Sequence, residues 1–207
     1  MSHAVDPSAA EARALEGARQ GELAAFNQLV LMYQTAVFNV ALRTLGNPDD
    51  AADAAQETFV SAFRAIREFR GGSFKAWLLR ITVNSCYDIV RRRQRRPASS
   101  LDELGERADG DFGPSDLKPG PEQTALSTET ARAIQDGLAT LPAEQRLLVL
   151  LCDVQGLSYE EAAGATQVAL GTVKSRLSRA RARLRDYLRE RGELPSHSRR
   201  HMEETEC

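Results

Sequence analysis

The chain has 207 residues, 42% of them apolar, which suits one packed domain or two small ones and excludes wholesale disorder. Its formal net charge of −2 conceals a strong segregation of sign along the sequence. No apolar run approaches the roughly 20 residues that span a bilayer, and the opening MSHAVDPSAAEARAL lacks the basic and apolar regions of a signal peptide. A soluble, intracellular protein without membrane insertion is expected. Cys86, Cys152 and Cys207 lie far apart with no C-x-x-C spacing, so neither a zinc site nor a disulfide framework is indicated, in keeping with a reducing cytosol.

Residues 1–21 start small and polar, and 11–19 can form a short helix before Gly21 breaks or bends the chain. From Glu22 to Leu45, the residues Leu23, Phe26, Leu29, Val30, Tyr33, Val37 and Val40 trace a helical stripe. Gly46-Asn47-Pro48 supplies a helix end, an N-cap and a first helical position in three residues. The next helix is predicted over 48–69, with Phe59, Val60, Phe63 and Ile66 as its buried stripe. Its first turns hold Asp49, Asp50, Asp53 and Glu57, which the positive end of the helix dipole favours.

Phe69-Arg70-Gly71-Gly72-Ser73-Phe74 interrupts the helices as a loop, with Ser73 placed to cap the next helix. That helix, predicted over 74–96, carries Trp77, Leu78, Ile81, Val83, Tyr87 and Ile89, then Arg91-Arg92-Arg93-Gln94-Arg95-Arg96, and Pro97 closes it. Trp77 with Ile81 four residues on reads as a core anchor rather than a base-stacking ring, whereas Phe69 and Phe74 stay open between the two roles. Residues 97–121 hold four prolines and four glycines and form a tether between domains. From Leu101 to Glu129 there are eight acidic residues against Arg107 and Lys118, a balance of −6.

A second helical domain is expected over 122–191, with Leu126, Ile134, Leu138 and Leu141 on its first helix, and Leu147, Val149, Leu150 and Leu151 on the next. Cys152 reads as a small buried side chain among them. Ser158 with Glu161 is a capping box opening a short helix over 160–165. A longer helix follows from about Leu170, with Val173, Leu177, Ala180 and Leu184 on one face. Lys174, Ser175, Ser178 and Arg179 lie opposite, and Arg176, Arg181 and Arg183 lie to the sides. Between Thr172 and Arg191, eight Lys or Arg stand against Asp186 and Glu190, a balance of +6. Short helix, tight turn and long basic helix form the pattern of a helix-turn-helix. Such a face neutralises phosphates and hydrogen-bonds base edges. Residues 192–207 lose pattern, and His197, His201 and Cys207 have no further ligand beside them, so a frayed tail is expected rather than a metal site.

PDDAADAAQETFVSAFRAI, FRGGSFKAWLLRITVNSCYDIVRRRQRR and, most specifically, LSYEEAA followed by LGTVKSRLSRARARLR resemble the extracytoplasmic-function (ECF) sigma factors, initiation subunits of bacterial RNA polymerase. The resemblance covers about 22–96 and 122–190. It implies an all-α protein of two small helical domains that binds core RNA polymerase and promoter DNA, under an anti-sigma factor. It places polymerase contact at Asp49, Asp53, Gln56 and Glu57. Recognition and melting of the −10 element falls to Phe69, Arg70, Gly72, Ser73, Phe74, Asn84, Arg91, Arg92 and Arg93. Reading of the −35 element falls to Thr172, Lys174, Ser175, Arg176, Ser178 and Arg179. By the same resemblance, the linker threads a polymerase channel. The sequence departs from the family at Ala162, where a large aliphatic residue is usual, and at Thr166-Gln167, where Leu-Gly is usual.

No Ser/His/Asp, Cys/His, metal or phosphate-loop constellation is present, and His3, His197 and His201 all lie in the termini, so neither enzymatic chemistry nor a cofactor is expected. Two other classes stay open on the residues alone. One is a polymerase-independent helix-turn-helix regulator; the other is a protein-binding adaptor. The acidic helix and the FRGGSF–RRR segment argue against both, because neither requires them.

Overall fold

The computed structural model describes residues 7–95 and 133–191, and every element among them is helical. The expected linker at 97–121, the tail at 192–207 and Leu126 lie outside the described residues. The elements in order are α1 (Pro7–Arg19), α2 (Leu23–Leu45), α3 (Pro48–Ala65), a 3-10 turn (Ile66–Glu68), α4 (Phe74–Arg95), α5 (133–140), α6 (Ala143–Val149), a π turn (Leu150–Val154), α7 (Tyr159–Thr166) and α8 (Leu170–Glu190). They group into two compact units. The first unites α1–α4 with the segment Leu150–Leu170, and the second unites α5 and α6 with residues 171–191.

In the first unit, α1 packs along α2, burying Ala14 and Ala18. Gly46 ends α2 with φ of 72°, a left-handed conformation that a Cβ disfavours. Asn47 then accepts a hydrogen bond from the Asp50 amide (3.0 Å) and caps α3, with Pro48 at its first position. The centre where α2, α3 and α4 meet is built from small side chains: Ala41, Ala51, Ala54 and Cys86 are all fully buried, with Phe38, Leu42, Leu45 and Ile89 around them. Burial raises the Cys86 thiol to about 12, so it is inert filling at neutral pH.

That small-residue seam corrects the expected stripe of α3. The inward positions are Ala51, Ala54, Thr58 and Ala62, whereas Val60 and Phe63 are exposed and Phe59 is half-buried. Ile66 is buried as expected. Leu23 on α2 is likewise exposed, although Phe26, Leu29, Val37 and Val40 are buried. Phe63 retains an edge-on contact with Phe26, their ring centroids 5.0 Å apart. The predicted helix over 48–69 in fact tightens into the 3-10 turn after Ala65.

Also in the first unit, α7 opens with the expected capping box, the Glu161 amide donating to Ser158 Oγ and the Ser158 amide to the Glu161 carboxylate. The Lys75 ammonium donates to the Gln155 carbonyl at 2.6 Å. In the second unit, Ala133, Leu138 and Leu141 point inward, and Ile134, expected in that stripe, is exposed. Gly137 is buried close against α8: a Cβ there would lie 2.6 Å from Leu184 Cδ1 and 2.9 Å from Tyr187 Cδ1.

Candidate nucleic-acid interfaces and docking helix

Helix α8 separates its residues into two faces. Val173, Leu177 and Ala180 are buried, and Lys174, Ser175, Ser178 and Arg179 are exposed on the other side. Arg179 Nε donates to the Ser175 carbonyl (3.2 Å), which holds the guanidinium along the helix. The Ser175 hydroxyl donates to the Thr172 carbonyl (3.1 Å), and Thr172 itself is half-buried. Arg176 differs from its neighbours, since its guanidinium is paired with Glu144 of α6 at 2.7 Å. The structure therefore gives it a partner within its own unit, while Lys174, Ser178 and the free end of the Arg179 guanidinium present donors outward and Ser175 presents an acceptor oxygen.

The second basic region belongs to α4 and the loop before it. Gly71 and Gly72 have φ of 102° and 86°, a conformation that side chains disfavour, and they turn Arg70–Ser73 outward as an exposed loop. Ser73 caps α4 by accepting from the Ala76 amide at 3.1 Å. Phe69 and Phe74, left open by the sequence, are only 6% and 2% exposed. Their rings meet edge-on at 5.6 Å, and both touch the half-buried Trp77, which is the core anchor its spacing suggested. Tyr33 closes the cluster against Phe74, its hydroxyl bonded to Glu11. Its acidity is suppressed first by burial and then by that carboxylate. In this conformation the two phenylalanines form the base on which the loop stands, and the outward groups are Arg70, Gly72 and Ser73.

Asn84 is half-buried midway along α4, and Arg91, Arg92 and Arg93 are exposed near its end. Arg91 pairs with Asp88 at 3.5 Å, both side chains being largely solvated. Arg93 pairs with Asp50 of α3, a link across 43 residues of chain that periodicity does not reveal.

The third surface is on α3. Asp49, Asp53, Gln56 and Glu57 are all exposed, with the Ser61 hydroxyl donating to the Glu57 carboxylate at 3.1 Å. Beside them runs an open groove of about 360 Å³ between α2 and α3. Val30, Gln34, Thr35 and Phe38 line one wall, and Ala55, Gln56 and Phe59 the other. Sequence reasoning missed this groove because its two walls come from different helices. Acidic groups next to an apolar trough suit a partner that offers both cations and apolar side chains. No group of three or more His, Cys, Asp or Glu among the described residues is arranged to hold a metal ion, and no described helix is long and apolar enough to cross a membrane.

Two family models match the chain, Sigma-70 region 2 over residues 29–96 and Sigma-70, region 4 over residues 131–184. The chain is 40% identical over 169 residues to the ECF RNA polymerase sigma factor SigE of Mycolicibacterium smegmatis; the match takes in 82% of this chain and 63% of that relative's length. It is 36% identical over 170 residues to the RNA polymerase sigma-H factor of Pseudomonas aeruginosa, covering 81% of this chain and 88% of the relative. Among solved structures, it is similar to the sigma factor RpoE from Bartonella quintana in complex with the anti-sigma factor NepR. That match has 30% identity and a TM-score of 0.63, over 79% of this chain and 96% of the other. It is also similar to CnrH in complex with the cytosolic domain of CnrY, at 28% identity and a TM-score of 0.59, over 87% of this chain and 98% of that one.

Proposed function

Because the chain belongs to the ECF RNA polymerase sigma factors, we propose that its three surfaces divide the work of transcription initiation. The exposed acids of α3 and the groove beside them dock on core RNA polymerase. The Arg70–Ser73 loop and α4, within residues 22–96, recognise and open the −10 element. A protruding loop over an aromatic base can clasp an extruded nucleotide, and cations along a helix hold the phosphates of a single strand. The exposed face of α8, within residues 122–191, reads the −35 element in the major groove.

The observation that carries this reading is the division of α8. Four of the six residues expected to read DNA, Lys174, Ser175, Ser178 and Arg179, are exposed, and Thr172 and Arg176 are half-buried. The apolar Val173, Leu177 and Ala180 are buried, and all lie inside the region 4 match. The family is one of transcription initiation factors, so the chain assembles a catalyst and performs no covalent step itself. Its place of action is the cytoplasm, where the polymerase works. An anti-sigma factor is a further partner, supported by the similar sigma factor from Bartonella quintana, whose structure was solved with one. The acidic linker belongs to the same reading as a segment suited to a basic channel.

The test is reconstitution. Purified chain and core polymerase should co-elute on a sizing column and start transcription from a cognate promoter that core enzyme alone ignores. Failure to co-elute would overturn the docking assignment. DNA binding that is indifferent to polymerase would favour a free-standing regulator instead.

A further inference from the structure

The geometry points to Asp50 as a masking residue for the −10 face: in the free chain its carboxylate occupies Arg93, and a single strand must displace it to gain that cation. The inference rests on the reading of α4 as a phosphate-holding helix. Asp50 sits in the first turn of α3, where its backbone amide is fixed by the Asn47 side chain at 3.0 Å. A carboxylate is favoured at that positive helix end. Arg93 sits in the last turn of α4, where a cation is favoured by the negative end. Two helix termini of opposite polarity thus bring an acid and a base together. The acid is the more enclosed partner, its side chain 20% exposed against 54% for Arg93.

Neighbouring groups are arranged differently. Among the described residues Arg91 pairs with Asp88 on its own helix, and those side chains are 66% and 62% exposed, so water and salt already loosen that pair. At Arg93 a phosphate meets a resident competitor held by the fold. The consequence is a lower affinity of the free chain for random single strands, with one cation held in reserve.

Asp50→Asn tests this, because it removes the charge, keeps the shape and leaves the backbone amide that Asn47 caps. Asp50→Ser, also suited to a first helical turn, is a second neutral variant should the first fold poorly. The full chain is titrated with a fluorescent single-stranded oligonucleotide over a range of salt, beside Arg93→Ala and the double variant. Thermal melting confirms that each is folded. Asp50→Asn should tighten binding about two- to fivefold, the range that an exposed ion pair can withhold. It should also steepen the salt dependence by up to about 0.7 in log–log slope, the increment for one further phosphate on a single strand. Arg93→Ala should cancel both gains in the double variant and weaken the parent chain less than it weakens the Asp50→Asn chain.

If Arg93→Ala weakens binding in both backgrounds while Asp50→Asn alone changes nothing, Arg93 holds DNA without being masked, and the inference fails while the reading of α4 survives. If Asp50→Asn tightens binding equally with and without Arg93, only general charge is at work and the inference again fails. If Arg93→Ala changes nothing in either background, the reading of α4's last turn fails, and the masking role with it.

Discussion

Lys174, Arg176 and Arg179 stand within two turns of one helix, yet the structure gives them different surroundings. Lys174 and Arg179 face outward, whereas Arg176 leans on Glu144. In the assembled holoenzyme, Lys174→Ala or Arg179→Ala should cost about 1–3 kcal/mol of binding and relax preference at one base of the −35 element. A panel of single-base promoter variants reads this out, and an equal loss on every variant would reduce both residues to phosphate holders. Gln167 offers a test on stability. It ends α7 at φ 57°, ψ 35°, its amide bonded to the Ala163 carbonyl. A non-glycine residue there pays about 1–2 kcal/mol, against somewhat less than that for the extra freedom glycine brings to the unfolded chain. Gln167→Gly should therefore raise stability by up to about 1 kcal/mol, seen as a higher melting temperature. A lower one would mean that the Gln side chain does more than its backbone suggests.

At the scale of elements, α3 shows what periodicity reveals and what it hides. The caps were legible because they are local: Asn47 before Pro48, and Ser158 with Glu161, satisfy helix-end amides within three residues of themselves. The inward face of α3 was not, because the apolar residues with the strongest signal are the wrong ones. Close approach around Ala41, Ala51, Ala54 and Cys86 leaves no room for large side chains, so Val60 and Phe63 move to the flank. The Asp50–Arg93 pair and the groove were hidden for a related reason, since each needs two helices brought together by that packing. The same closeness recurs at Gly137, where a methyl group would meet Leu184 and Tyr187. Gly137→Ala should cost about 1–3 kcal/mol by overpacking, despite the better helix propensity of alanine. Chemical denaturation measures it, and an unchanged midpoint would show that α8 yields freely. On the outer face of α3, reversing Asp49, Asp53 and Glu57 together should weaken binding to core polymerase with only a small fall in melting temperature, because exposed substitutions cost little beyond the lost helix-dipole contribution. Wild-type polymerase binding by that triple variant would displace the docking surface from α3.

For the whole molecule, charge follows function more closely than net charge suggests. The balance of +6 over Thr172–Arg191 and of −6 over Leu101–Glu129 cancel in the total, but they sit on separate segments, and the proposed reading gives these opposite tasks. The two faces proposed to read DNA belong to separate compact units, one on α4 and one on α8. On the proposed reading each face contacts one element, so joint binding depends on holding both faces at the spacing of the two elements. A covalent link supplies the second face at an effective concentration that is useful only when the geometry suits both contacts. On the proposed reading, core polymerase docked on α3 is the scaffold that sets it. The free chain should therefore bind a duplex promoter weakly and with a steep salt dependence, as phosphate contacts dictate. Addition of core enzyme should raise affinity for the cognate promoter far more than for a scrambled one. Electrophoretic mobility shifts at fixed salt, with and without polymerase, measure both ratios. Tight, sequence-specific binding by the free chain would mean that its own fold already sets the spacing, leaving polymerase no part in promoter choice.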